Sequence, residues 1–310
     1  MTEGRRAAFL CILVVALPAL ALVAKMPAHP QILAVLNNAA HAPVFGALAV
    51  VLLLLLRLVT SLGEWQRYAA ACVLAVAIGG LIELIQPALG RGAEWVDLRN
   101  DALGAIAALA LAASLAPPKR WPLLIAAAAL AQVLWPVFEA SIAYASRARE
   151  FSMLLGDDSR ADRYFIRTRG VETVPAALPP PWNRAGDPRS LKIQVVGGPW
   201  PSVTHSEPYP DWRGYSRLML DLTNPESRPL MLTVRVHDRE HDNRGSDRFN
   251  RSFELTAAER QTIVIPLAEI ELAPDGRRLD LARVAGLILF CGADPALIGR
   301  QYYVTRVWLE

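Results

Sequence analysis

The residue types that could do chemistry are concentrated where two apolar runs meet, between residues 79 and 104. The candidate residues of this membrane pocket are Glu83, Gln86, Arg91, Asp97 and Asn100, together with His41 from the preceding apolar run. Glu83 could act as a general base, and Asp97 as an acid or as a group that orients another. An ionised carboxylate near the end of an apolar helix is costly unless it is paired. Arg91, in the turn that follows, could bridge Glu83 and Asp97.

The same residues allow a purely structural interpretation. Contacts of Arg91 with the two carboxylates would fix the turn and the register of two helices without any reaction. Gly79 and Gly104 would let the two helix backbones approach closely, because neither carries a side chain. His41 is expected at the start of the second apolar helix, where a single histidine is commonly an interfacial or hydrogen-bonded residue. A reactive pocket and a helix lock therefore stay open as alternatives.

Five apolar stretches carry or flank these residues. They cover approximately residues 7–24, 38–56, 68–86, 100–116 and 121–138. Each is close to the ~20 residues that are needed to cross the hydrocarbon core of a bilayer. We therefore predict an α-helical transmembrane bundle of about five helices in residues 1–144, with the lipid bilayer as a partner. The first stretch follows Arg5 and Arg6, and a cleaved signal peptide is the alternative interpretation of it.

The lysines and arginines of the short loops predict the orientation of the bundle. With a cytoplasmic N-terminus, the inside residues are Arg5, Arg6, Arg57, Arg67, Lys119 and Arg120. The outside residues are then Lys25, Arg91 and Arg99, which is half as many. An odd number of spans places the rest of the chain outside the cytoplasm. We expect a multi-pass protein of the bacterial inner membrane, and one helix more or fewer would reverse the placement of its C-terminal half.

The polar positions of the pocket follow an order that resembles the hallmark of the VanZ-like membrane proteins: Glu83-x-x-Gln86, Arg91 and Asp97-x-x-Asn100-x-x-x-Gly104. His41, Phe45 and Gly46 are similar to the opening of the preceding helix in that family. The resemblance covers about residues 25–116. Asn37-Asn38 stands where an acidic residue and a lysine are common, so a role that depends on those charges is not expected here. The resemblance implies a cell-envelope setting more than a reaction.

Beyond residue 144 the sequence becomes polar and alternates as strands do. In residues 230–237, for example, the aliphatic side chains at even positions alternate with Met231, Thr233, Arg235 and His237, which is typical of a half-buried antiparallel strand. The predicted strands are 163–168, 191–196, 203–207, 216–222, 230–237, 250–255, 262–266, 284–290 and 302–308. We predict a multi-domain chain in which an all-β antiparallel jelly-roll sandwich, at about residues 150–310, follows the bundle.

Within that half, residues 145–189 are expected to form a connecting segment with the first strand and a Pro-rich loop at Pro175–Pro181. Residues 190–310 form the main body of the sandwich. Several short phrases resemble, in their order, the galactose-binding-like jelly rolls and carbohydrate-binding modules that accompany glycoside hydrolases. They lie at residues 211–215, 218–225, 237–238, 247–250, 277–281 and 302–309. The resemblance implies that the sandwich binds a polysaccharide or a cell-wall glycan.

Sugar recognition would use aromatic faces that stack on pyranose rings and polar groups that bind hydroxyls. The candidate glycan-binding residues are Trp200, Tyr209, Trp212, Arg244 and Arg248. For Trp212 the alternative is packing in the core. His237 and His241 have a metal-like spacing, but their position at a strand end does not by itself bring the rings together, so no metal is assigned. No cofactor is predicted, with Ca²⁺ at the neighbouring aspartates as the alternative.

The composition of the chain limits the classes of function that we expect. A net charge of +3, without a basic stripe interleaved with aromatics, argues against a nucleic-acid partner. The leading hypothesis is a non-enzymatic envelope protein that acts in cell-wall or exopolysaccharide biology. A second hypothesis is a membrane enzyme or transporter that works at Glu83, Arg91 and Asp97. A third is a scaffold whose sandwich binds another envelope protein.

Overall fold

The computed structural model describes residues 3–23, 27, 29–90, 92, 94–115, 120–156 and 159–310. The chain divides into two compact units, Met1–Ser141 and Ile142–Glu310.

The first unit contains helices and no strand in the part that the structure describes. Its helices are α1 (Glu3–Val23), α2 (Gln31–Val59), α3 (Glu64–Ile85) with a 3₁₀ turn (Gln86–Leu89), α4 (Trp95–Ser114) and most of α5 (Trp121–Glu150). Gly90, at φ 73°, ends the 3₁₀ turn in the left-handed region that glycine adopts most easily. α2 begins ten residues before His41 rather than at it, so the predicted helix start was wrong and His41 lies in the third turn.

Three of these helical segments are long and apolar enough to cross a membrane: Gln31–Val59, Glu64–Leu89 and Trp121–Glu150. α1 and α4 are not in this set. α4 carries Asp97, Arg99 and Asp101 in its first two turns, and charged side chains are costly in hydrocarbon. Of the five predicted spans, three are supported by length and composition, and the other two stay predictions.

The centre of the first unit is formed by α2 against α3 and α4. Phe45 and Leu48 of α2 are fully buried and pack with Ala71 and Ala75 of α3 and with Ala105 of α4. The small alanines bring the three helices close together around α2. This close packing positions the polar side chains of α2 and α4.

The second unit is a sandwich of two antiparallel sheets. Its strands are β1 (Met153–Gly156), β2 (Ile166–Arg169), β3 (Val171–Ala176), β4 (Ser190–Val195), β5 (Ser202–His205), β6 (Arg217–Asn224), β7 (Leu230–Asp238), β8 (Phe249–Leu255), β9 (Glu259–Pro266), β10 (Val284–Cys291) and β11 (Gln301–Leu309). Two short helices, α6 (Arg160–Phe165) and α7 (Leu267–Glu271), interrupt them. The prediction of a helical region followed by an antiparallel β-sandwich is confirmed.

The strands of one sheet follow the order β3-β4-β11-β6-β9, with β1 also paired to β11, and those of the other follow β2-β5-β10-β7-β8. We call these the six-stranded and the five-stranded sheet. Alternate residues of β7 point inward, and β11 does likewise with a register shift between Val304 and Arg306. The buried core between the sheets comes from residues of this unit alone, including Trp212 and Tyr302. The second unit therefore has a hydrophobic core of its own.

Two sequence predictions in this unit were wrong. Residues 163–165 belong to α6 rather than to a strand, because the Ser159 side chain accepts from the backbone N–H of Asp162 at 3.1 Å and caps a short helix. The strand begins only at Ile166. The predicted loop at Pro175 is the end of β3, where proline is tolerated because β3 is an edge strand of its sheet.

Candidate functional site

His41 lies between two carboxylates in the first unit. Its Nδ1 is 3.0 Å from Oδ1 of Asp101, and its Nε2 is 3.6 Å from Oδ2 of Asp97. All three residues are buried, at 6%, 4% and 1% exposure for His41, Asp97 and Asp101. Asp97 and Asp101 are one helical turn apart on α4, so both carboxylates reach the same face of α2. A histidine held in this way can take up or release a proton between two fixed acids.

Glycines make this contact possible. A Cβ on Gly104 would lie 2.0 Å from the carbonyl oxygen of Ala42, and one on Gly79 would lie 2.5 Å from Oδ2 of Asp101. Close approach was predicted between α3 and α4, but Gly104 meets α2 instead. The small residues of α4 therefore serve the α2–α4 contact, and Gly79 leaves room for the Asp101 carboxylate.

The other predicted pocket residues have contacts of their own. Oε2 of Glu83 accepts from the backbone N–H of Glu94 at 2.7 Å, just before α4. Asn100 donates from Nδ2 to the carbonyl oxygen of Asn38 at 2.7 Å, and Gln86 is 1% exposed. Arg91 lies outside the described residues, so its bridge from Glu83 to Asp97 stays a prediction. Glu83 and Glu94 line an open groove of about 510 Å³ between α3 and α4.

The second unit offers a different kind of site on the outer face of its five-stranded sheet. Strand pairing aligns two rows of outward side chains across the sheet. The first row is Arg167, Thr204, Ile288, Arg235 and Asn250, and the second is Arg169, Ser202, Phe290, Thr233 and Ser252. Successive strands are ~4.8 Å apart, so each row spans about 19 Å. The alternation of the strands thus produces a polar face opposite the core.

These rows form the floor of an open cleft of about 660 Å³, which we call the arginine cleft. Four of its lining residues are arginines: Arg167, Arg169, Arg235 and Arg248. Its other lining side chains are hydroxyl, amide or apolar groups, and no carboxylate is among them. The cleft therefore presents positive charge together with groups that hydrogen-bond neutral hydroxyls.

Trp200 stands at one end of the arginine cleft. Its ring is 54% exposed and packs edge-to-face on Phe290, with 5.9 Å between the ring centroids. Its φ of 57° lies in the left-handed region, which is uncommon for a bulky residue and persists only where the surroundings impose it. The strained backbone holds a large aromatic face open to solvent beside the polar rows.

Arg235 is held by a histidine rather than by an acid. Its Nη2 is 2.9 Å from Nε2 of His241, whose Nδ1 is 2.8 Å from the carbonyl oxygen of Asp247. The pKa of Arg235 is lowered to about 10 because burial disfavours its charge and Arg248 repels it. The guanidinium still carries its full charge at neutral pH, and no neighbouring carboxylate neutralises it in the described part of the chain.

Three possible metal ligands near this arginine include a carboxylate that is already hydrogen-bonded within the protein. Ligand atoms of His241, Asp242 and Asp247 lie within 4.8 Å of one another. The two carboxylate oxygens of Asp247, however, accept from Arg277 and from the backbone N–H of Asp242. The hydrogen bond from Arg277, followed by that from Asp242, lowers the pKa of Asp247 to about 2. These contacts fix the loop that carries His241.

The structure places the predicted glycan-binding residues in different environments. Trp200 and Arg248 line the cleft. Trp212 is fully buried, and its Nε1–H donates to the carbonyl oxygen of Tyr209 at 2.8 Å, so its selection as a sugar-stacking residue was wrong. Tyr209 is half-buried and stacks on Phe151 at 4.2 Å between centroids. Arg244 is exposed and pairs with Asp242 at 3.3 Å, and it is not among the lining residues.

Three cleft arginines were missed from the sequence: Arg167, Arg169 and Arg235. The signal for Arg235 was present, since the alternation of β7 puts Arg235 on the face opposite Val234 and Val236. No such signal existed for β2, because its pairing with β5 is known only from the fold.

The outer face of the six-stranded sheet differs, because the loop before β4 covers it. Arg260 bridges Asp187 of that loop and Asp221 of β6, with N–O distances of 2.6 Å to each. Its Nη1 also donates to the carbonyl oxygen of Trp182 at 2.9 Å. The charge of Arg260 is thus neutralised within the protein, whereas Arg169, Arg235 and Arg248 of the arginine cleft form no ion pair among the described residues.

No family model matches the chain, and no curated protein matches it. Among solved structures, an exo-beta-agarase is similar over 51% of this chain and 24% of its own, with 13% identity and a TM-score of 0.41. A family 11 carbohydrate-binding module from Clostridium thermocellum, in complex with a beta-1,3-1,4-mixed-linked tetrasaccharide, is similar over 51% of this chain and 94% of its own, with 13% identity and a TM-score of 0.36. A family 29 module is similar over 47% of this chain and 82% of its own, with 11% identity and a TM-score of 0.29. At these scores we draw nothing about function from the likeness, and the resemblance to the VanZ-like proteins stays a prediction.

Proposed function

We propose that the protein is a multi-pass protein of the bacterial inner membrane whose jelly-roll sandwich binds a glycan of the cell envelope outside the cytoplasm. The observation that carries the proposal is the exposed ring of Trp200 at the end of the arginine cleft. Carbohydrate sites combine an aromatic surface, on which a sugar ring stacks, with side chains that exchange hydrogen bonds with its hydroxyls. The hydroxyls of Thr204 and Thr233 and the amide of Asn250 supply those bonds along the floor of the cleft.

A polysaccharide panel tests this proposal. The full chain in nanodiscs of neutral lipid is titrated with soluble cell-wall and extracellular polysaccharides, and the Trp200→Ala variant is compared with the unmodified chain. We expect at least one polysaccharide to bind, and Trp200→Ala to weaken it on the order of tenfold, as loss of a central aromatic contact does. Trp308→Ala, at a half-buried tryptophan of β11 outside the cleft, is the matched control. If no polysaccharide of the panel bound, the proposal would be wrong.

A second candidate function is a membrane enzyme or transporter that works in the first unit, as the order of polar residues similar to VanZ-like proteins suggests. The observation that favours it is the buried His41 between Asp97 and Asp101. The VanZ-like family is named for low-level resistance to glycopeptide antibiotics. We predict that His41→Gln abolishes any such resistance that the chain confers on a permeable host, while the abundance of the protein in the membrane is unchanged. If His41→Gln lowers abundance and resistance together, the histidine is part of a helix lock and this candidate is lost.

A further inference from the structure

The arginine cleft has an unusual charge for a surface that binds only neutral sugars. Arg169 on β2 and Arg235 on β7 lie at opposite sides of the floor, separated by the three strand-to-strand steps of their sheet. At ~4.8 Å per step, the two guanidinium-bearing strands are about 14 Å apart. Positive charge therefore extends along the cleft rather than sitting at one point.

The charge of three of the four cleft arginines has no carboxylate partner in the described part of the chain. No ion pair of Arg169, Arg235 or Arg248 exists among the described residues, whereas Arg260 and Arg277 elsewhere in the unit each bind two carboxylates. Arg235 is partly buried, and an acidic partner would stabilise its charge. Its contact is instead the neutral acceptor nitrogen of His241. The fold thus keeps these guanidinium groups available to an external anion.

We infer that the ligand of the arginine cleft is a negatively charged polysaccharide, whose carboxylate or sulfate groups pair with Arg169, Arg235 and Arg248. The inference rests on the proposed glycan-binding function. Guanidinium groups bind planar carboxylates and other oxyanions through two parallel hydrogen bonds, which gives both strength and geometry. The threonine and asparagine side chains between the arginines then bind the sugar hydroxyls.

The floor of the cleft favours a polysaccharide over other polyanions. Single-stranded nucleic acid is bound on several aromatic side chains, one for each successive base. Here one exposed aromatic, Trp200, stands at one end, and hydroxyl and amide groups occupy the middle of the rows. An anionic lipid surface would meet basic residues on a convex or amphipathic face, whereas these arginines line a cleft. A repeated acidic sugar satisfies both the charges and the hydroxyl-binding groups.

A matched pair of ligands tests the inference. Soluble oligoglucuronates are compared with the oligoglucosides made from them by carboxyl reduction, which removes the charge and keeps the ring and its hydroxyls. A sulfated oligosaccharide and its desulfated form make a second pair. Affinity for the full chain in neutral-lipid nanodiscs is measured for each. We expect at least one acidic form to bind on the order of tenfold more tightly than its neutral counterpart, and its binding to weaken between about 0.1 M and about 1 M salt.

Single arginine variants test whether the preference for the charged ligand arises in the arginine cleft. Arg169→Gln is the main variant, because Arg169 is exposed on an edge strand, where we expect the fold to tolerate the substitution. Arg235→Gln is the second. Both should weaken binding of the acidic form several-fold more than binding of the neutral form, while Arg228→Gln, at an exposed arginine outside the cleft, should change the affinity for neither form.

The possible results separate the two proposals. Equal affinity for charged and neutral forms would overturn the inference and leave the glycan-binding function standing. Binding of no oligosaccharide in either pair, together with a blank polysaccharide panel, would overturn both. Binding of an oligonucleotide or of anionic vesicles as tightly as the acidic oligosaccharide would overturn the assignment of a polysaccharide. Loss of affinity in Arg228→Gln as large as in Arg169→Gln would show that the charge effect is not located in the cleft.

Discussion

Nε2 of His241 accepts a hydrogen bond from Nη2 of Arg235 across 2.9 Å. The direction follows from Arg235, because a guanidinium has N–H donors and no acceptor. The other ring nitrogen, Nδ1, donates to the carbonyl oxygen of Asp247, because a carbonyl can only accept. His241 is thus the neutral tautomer with hydrogen on Nδ1. A pair of histidines that looks metal-like in the sequence serves here to orient an arginine.

The Arg235–His241 contact predicts the behaviour of two variants. His241→Ala removes the acceptor that holds the guanidinium, and we expect ligand affinity to fall roughly three- to tenfold, the worth of one hydrogen bond. His241→Gln keeps an acceptor oxygen for Arg235 and a donor for Asp247, so it should retain most of the affinity. Titration of the full chain with the bound polysaccharide measures both. Equal affinities for His241→Ala and the unmodified chain would show that the contact does not orient Arg235 for binding.

Calcium should not stabilise the sandwich. The oxygens of Asp247 are occupied by Arg277 and by the backbone N–H of Asp242, so a cation would have to displace existing bonds. Thermal unfolding of residues 142–310 should give the same midpoint with excess Ca²⁺ and with a chelator. Asp247→Asn should lower the midpoint, since it weakens the pair with Arg277. An increase of the midpoint with Ca²⁺ that Asp247→Asn removes would establish a calcium site instead.

Two adjacent glycines of α3 should respond differently to alanine. A Cβ at Gly79 would be 2.5 Å from Oδ2 of Asp101, while one at Gly80 would meet only Cδ1 of Leu98 at 4.0 Å. Gly79→Ala forces the carboxylate away from His41, and overpacking of this kind costs typically about 1–3 kcal/mol. We expect a lower thermal midpoint and lower abundance in the membrane for Gly79→Ala, and no change for Gly80→Ala. Similar behaviour of the two variants would contradict the placement of Asp101.

The sandwich should lose stability in mild acid because of His205. This residue is 3% exposed, and burial, followed by the charge of Arg147, lowers its pKa to about 3. The unfolded state has a pKa near 6.5 and binds more protons between these two values, so stability falls as the pH falls through this window. At about pH 5 the loss from His205 is about 2 kcal/mol relative to neutral pH.

Urea unfolding of residues 142–310 at several pH values measures this loss. His205→Phe should reduce the loss between neutral pH and about pH 5. Part of the loss should remain, because burial, followed by the charge of Arg235, also lowers the pKa of His237, to about 4. An identical pH dependence in His205→Phe and the unmodified domain would contradict the burial of this imidazole in its neutral form.

The sequence predicts the architecture well because the controlling signals are local. Long apolar runs predict helices, and period-two alternation predicts strands such as β7, so a helical region followed by a sandwich could be read directly. The boundaries of the helix and strands between residues 163 and 175 could not be predicted from the sequence, because a helix cap at Ser159 and an edge-strand proline at Pro175 override the apparent pattern.

The candidate sites were predicted less well because they depend on pairing between distant segments. Asp101 is 60 residues from His41, and only the packing of α2 on α4 joins them. Arg169 and Arg235 share a face only through the order β2-β5-β10-β7. Trp212 and Trp200 are both in loops, and only the fold shows that one ring is in the core and the other in solvent.

The central claim, that the outer face of the five-stranded sheet binds a glycan, is tested most directly by locating the ligand. The NMR signals of Arg Nε–H and Trp indole groups in residues 142–310 are followed during titration with an acidic oligosaccharide that binds the full chain. We predict shifts at Trp200, Arg169 and Arg235, and none at Arg260 on the other sheet. Shifts at Arg260 with no change at Trp200 and Arg235 would contradict the claim.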